Sequence, residues 1–115
     1  MASLTRTVTA DDTARAVGSG DLDVLGTPVV VAWCEAATCA ALDLEDQLTS
    51  VGTHVDVRHL APSPVGATIE VTATIGDRTD RTATFAVEAR QGETVVASGT
   101  VVRAIVDRER FLARL

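Results

Sequence analysis

The sequence predicts an α+β domain in which one long central helix lies across a curved antiparallel β-sheet. Three observations predict it. The run Thr27 to Leu44, TPVVVAWCEAATCAALDL, reads as one helix that is apolar on nearly every face. Four later stretches alternate with period two, as half-buried strands do. The helix precedes the strands instead of alternating with them, which is the order of an α+β plan.

Taken in order, Leu4 to Val8 alternates and predicts a short first strand. Thr9-Ala-Asp-Asp12 fits the capping-box pattern, so a short helix is expected from there to Gly18. Gly18-Ser-Gly20 is a flexible connector or lid, and Asp21 to Gly26 leads into the central helix. That helix starts at Thr27-Pro28, where Thr can cap and Pro suits the first position. Asp43, Glu45 and Asp46 mark its return to water.

Ser50 to Leu60 is the next strand, with Val51, Thr53, Val55, Val57 and His59 expected on the face toward the helix. Gly52, His54, Asp56, Arg58 and Leu60 fall on the other face. The turn Ala61 to Gly66 leads to a strand from Thr68 to Ile75, closed by Gly76-Asp77. Arg81 to Arg90 places Ala83, Phe85, Val87 and Ala89 on one face, and Gln91-Gly92 makes a hairpin turn. Thr94 to Val106 is a long last strand, and Asp107 to Leu115 is a terminal helix or tail. Only Trp33, Phe85 and Phe111 are aromatic, so small aliphatic side chains build the core and let the helix approach the sheet closely.

A chain of 115 residues is expected to form one domain over residues 1–115, and 46% hydrophobic content argues against disorder. The net charge of -6 argues against non-specific binding to nucleic acid or anionic membrane. No apolar run approaches the ~20 residues of a membrane span, and no signal core opens the chain. All ten basic residues are Arg, which removes lysine chemistry. Cys34 and Cys39 lie about 140° apart around a helix, so they cannot bridge there. A reducing, cytoplasmic setting is expected, and the scattered Cys and His make a poor zinc pattern, so no metal or cofactor is expected.

Glu35 is the one charge inside the apolar helix. A carboxylate there is costly unless paired, hydrogen-bonded or wetted by a cleft, so it is the first candidate for chemistry. Half-buried among apolar side chains, it would be a better base near neutral pH than an exposed Glu.

The segments TP-x6-E, SVGTHVDVRHLAPSPVGATIEVTA and EARQGETVVASGTVVRAIVD resemble the hotdog-fold thioesterases, and most closely the fluoroacetyl-CoA thioesterase-like family. The resemblance runs from about Val8 to Phe111. It implies a homodimer, with higher oligomers open, and sites at the subunit interface. It implies an acyl-CoA substrate, with Thr27, Glu35 and His59 as the catalytic set and Gly52 nearby on the strand. Fluoroacetyl-specific members carry aromatic gate residues before the Thr; Gly18 to Gly26 has none. Trp33 is expected in the acyl wall, and Arg58, Arg103 and Arg108 are candidates for coenzyme A phosphates, with Arg103 preferred. Eight residues separate Thr27 from Glu35 by ~12 Å along a helix, so a site combining two chains with His59 as the bridge is expected. Competing readings are a non-catalytic hotdog protein binding an acyl or aromatic molecule, and an acyl-CoA hydratase or dehydratase.

Overall fold

The computed structural model describes all of Met1–Leu115. In chain order the elements are β1 (Ala2–Thr7), a 3₁₀ turn (Ala10–Asp12), α1 (Ala14–Val17), α2 (Thr27–Ala41), β2 (Leu48–His59), β3 (Thr68–Arg78), β4 (Thr82–Gln91), β5 (Thr94–Asp107) and α3 (Arg108–Leu112). The strands form one five-stranded sheet in the order β1-β3-β4-β5-β2, and every neighbouring pair is antiparallel. β2 therefore lies at an edge, with one side of its backbone unpaired.

The core sits between α2 and one face of the sheet. Ala83, Phe85, Val87 and Ala89 of β4 are all buried, as their alternation predicts. Ile69, Val71 and Ala73 of β3 and Val101 of β5 continue the same layer. From α2 the buried residues are Val30, Cys34, Ala37 and Thr38, a stripe at helical spacing. Thr38 satisfies its buried hydroxyl by donating to the Glu35 carbonyl at 2.6 Å. Ala32, Cys39 and Ala40 stay exposed, so the apolar helix is covered on one side only.

Four local expectations change. The single short helix after Thr9 is split, because Thr13 is extended and caps a separate α1 through Ala16 N–H. Gly18 ends α1 at φ 79°, a left-handed conformation suited to glycine. The central helix stops at Ala41 instead of Leu44, since Leu42 turns extended and packs against the core. Its N-cap is Gly26, so Thr27 is already helical and its hydroxyl is not used for capping.

The fourth change is on β2. The pairing with β5 shifts register between Gly52 and His54, which is a β-bulge. A bulge exchanges the two faces of a strand. Gly52 pairs with buried Arg103, and beyond the bulge Val55 pairs with buried Val101. Gly52, Val55, Val57 and His59 thus share the helix side, while Val51, expected there, falls on the other.

Candidate active site

The first half of the site lies at the start of α2. Gly26 is buried at the N-cap, and a side chain there would press on the Ala14 backbone at 3.3 Å and on Val17 at 3.1 Å. This close approach of α1 fixes where α2 begins. The uncommitted Thr27 hydroxyl then meets the end of β2, with Oγ1 at 2.7 Å from His59 Nδ1. His59 Nε2 is buried and has no hydrogen-bond partner. Burial holds the His59 pKa below 6.5, opposed by the Ala61 backbone, so the ring is neutral at pH 7. Thr27 and His59 open onto a cleft of about 280 Å³ walled by Val24, Leu25, Leu60 and Pro62.

The second half lies two turns further along α2. The Glu35 carboxylate is 35% exposed and accepts from Arg103 Nη1 at 3.3 Å. Arg103 is only 6% exposed, which a guanidinium tolerates when its donors are satisfied. Ser50 satisfies them: its Oγ accepts from Nε at 2.8 Å and its carbonyl from Nη2 at 3.2 Å. Gly52 lies against the carboxylate, and a Cβ there would collide with Glu35 Oε2. The apolar surroundings expected for Glu35 are therefore replaced by a cationic partner held from β2 and β5.

Within one chain the structure unites Thr27 with His59, and Glu35 with Gly52 and Arg103. The two groups stay apart, by about 12 Å along the helix and roughly 20 Å along β2. Trp33 is half-buried and packs against the core, and it does not line the cleft. Arg103 is buried and committed to Glu35 and Ser50, so it does not stand at an entrance. Arg108 donates to the carbonyls of Asp46 and Leu48, and Arg58 is exposed without a partner. Burial and the neighbouring Glu35 charge push the Cys34 thiol up to about 11, which excludes it as a nucleophile. Ser50 escaped sequence reasoning; only its pairing beside Arg103 across the sheet reveals its part.

The fold has known counterparts. Residues 8–109 match the model of the fluoroacetyl-CoA-specific thioesterase family. The fluoroacetyl-CoA thioesterase of Streptantibioticus cattleyicolor is 34% identical over 95 residues, covering 81% of this chain and 68% of that protein. A crystal structure of a point variant of the fluoroacetyl-CoA-specific thioesterase with fluoroacetate and CoA superposes with a TM-score of 0.90 at 29% identity, covering 97% of this chain and 94% of that one. A thioesterase superfamily member from Thermus thermophilus shares the fold, with a TM-score of 0.90 at 24% identity over 98% of this chain and 85% of that one. The chain belongs to the fluoroacetyl-CoA-specific thioesterase family and is a hotdog-fold thioesterase.

Proposed function

We propose that this protein hydrolyses small acyl-CoA thioesters at a site shared by two copies of the chain. Thr27 and His59 of one copy face Glu35, Gly52 and Arg103 of the other. The observation that carries this reading is the pair of contacts above: a hydroxyl on a neutral imidazole, and a carboxylate on a buried guanidinium, each half of a hydrolytic set. A homodimer formed along the unpaired edge of β2 supplies the missing proximity. Antiparallel pairing of two β2 strands centred near Val55 would set Gly52 of one copy opposite His59 of the other. Val55, 39% exposed at that centre, would gain cover.

In this site each group has a task. Thr27 donates to Nδ1, which leaves the His59 proton on Nε2. Arg103 orients the Glu35 carboxylate as a base. Water attacks the thioester carbonyl carbon and gives its proton to Glu35. The C–S bond then breaks, and the leaving thiolate takes the proton that Glu35 accepted from water, while His59 Nε2–H donates a hydrogen bond to the carbonyl oxygen. Glu35 is thereby returned to its carboxylate, and the products are a carboxylic acid and coenzyme A. Gly52 leaves room for the Glu35 carboxylate against β2.

The cleft walls contain no aromatic residue, and the segment before Thr27 has none. The protein therefore takes a modest acyl group without an aromatic gate. The chain acts as one domain in a reducing, cytoplasmic setting, a reading supported by its two free cysteines. The test is thiol release from a series of acyl-CoA esters. Glu35→Gln and His59→Ala are each expected to lower kcat by roughly 10²–10⁴-fold, the range of general acid–base catalysis. Wild-type turnover by either variant would overturn the assignment.

A further inference from the structure

The ten guanidiniums are not equally engaged. Arg15, Arg90 and Arg103 pair with carboxylates. Arg6, Arg78 and Arg108 donate to backbone carbonyls. Arg58, Arg81, Arg110 and Arg114 make no hydrogen bond through their side chains. Three of these four, Arg81, Arg110 and Arg114, line a single cleft of about 490 Å³ at the far end of β4 and β5.

The cleft is built, not incidental. Ala104, Ile105 and Val106 at the end of β5 line the cleft together with Phe111 of α3. α3 is capped at its start and tied to the segment leading into β2. Asp107 accepts from Arg110 N–H at 2.9 Å, and Arg108 anchors to the carbonyls of Asp46 and Leu48. Asp107 is the only carboxylate in the lining, and one of its oxygens caps α3. Arg110 and Arg114, four residues apart, share a face of the chain here. In a chain of net charge -6, three unengaged cations beside one apolar wall make a local site for an anion.

We propose that this cleft binds a phosphate ester carried on a flat or apolar group. Guanidinium forks match phosphate oxygens, and Phe111 with Ala104 and Val106 offers the carrier a surface. Two sources share this chemistry: the nucleotide end of the coenzyme A substrate, and a free nucleotide. The first source rests on the thioesterase reading, while the site itself does not.

The test uses adenosine 3′,5′-bisphosphate as the probe, titrated calorimetrically at low ionic strength. The wild type is expected to bind it. Arg110→Gln/Arg114→Gln, and separately Arg81→Gln, should each weaken binding roughly tenfold or more, the value of one charge-assisted hydrogen bond. Failure of the wild type to bind, or wild-type affinity in both variants, overturns the site. Kinetics on acetyl-CoA and S-acetyl-pantetheine identify the source. A raised KM for acetyl-CoA alone assigns the cleft to the substrate's nucleotide end, and unchanged kinetics on both assign it to a free nucleotide. Absence of hydrolysis of either ester by the wild type would count against the thioesterase reading and leave the binding result standing.

Discussion

Glu35 shows how a residue's neighbours decide its task. From sequence it is a lone acid in an apolar helix; in the fold it faces Arg103, and Ser50 holds Arg103 by two further bonds. The pair matters mainly to Arg103, which is buried and has Glu35 as its one carboxylate partner. Glu35→Gln, which keeps an acceptor but removes the charge, should cost about 1–3 kcal/mol in a denaturant titration. Ser50 is best described as a positioning residue. Ser50→Ala should lower kcat about tenfold with little change in KM, and Ser50→Thr should restore it, with circular dichroism unchanged. Equal loss from both variants would mean that packing, not the hydroxyl, matters.

His59 gives a pH signature. Its folded pKa lies below 6.5 because burial disfavours the charged ring. Activity that needs the neutral imidazole should fall as pH drops, with the acid limb of kcat/KM below 6.5. Stability follows the same sign. Between the folded value and 6.5 the unfolded chain binds more protons, so stability is present above 6.5 and is lost as pH falls through that window. An acid limb that stays put in His59→Gln would remove this residue from the profile.

Two glycines of the sheet separate packing from chemistry at the scale of elements. A Cβ at Gly99 would meet the Asp56 carbonyl and approach Val57 Cα at 2.7 Å, so the strands β2 and β5 would have to part. Gly99→Ala should cost roughly 3 kcal/mol, the upper end for overpacking. At Gly52 the collision is with a side-chain oxygen, which can move. Gly52→Ala should thus spare stability and lower kcat by displacing Glu35, read by denaturant midpoint and thiol release together.

Much of this architecture was legible in the chain. The alternation of β4 named its buried face, and the apolar run of α2 named the central helix. The bulge at Gly52 was not legible as a face exchange, because it depends on how β2 pairs with β5. The cap of α2 was misplaced by one residue, since Gly26 is chosen for closeness to α1, a tertiary demand. The link between Arg103 and Ser50 was invisible for the same reason: 53 residues separate them, and only register unites them. A resemblance singles out Thr27, Glu35 and His59 as candidates, and only the coordinates divide them into two groups.

Across the whole molecule, the unpaired edge of β2 and the exposed side of α2 fall on the part of the chain that carries both half-sites. An edge of twelve residues with no lysine or proline in it invites pairing with a second copy. Val55→Arg should favour the monomer in sedimentation and abolish thiol release while leaving the fold intact. Retained turnover by a monomeric variant would contradict a shared site.

The most direct measurement mixes two dead proteins. Glu35→Gln and His59→Ala are refolded together and assayed for thiol release. If each site takes Glu35 from one copy and His59 from the other, half of the sites in every mixed dimer are intact. Random pairing then restores about a quarter of wild-type activity. A mixture no more active than its parents would show that one chain holds the complete site, and would contradict the account.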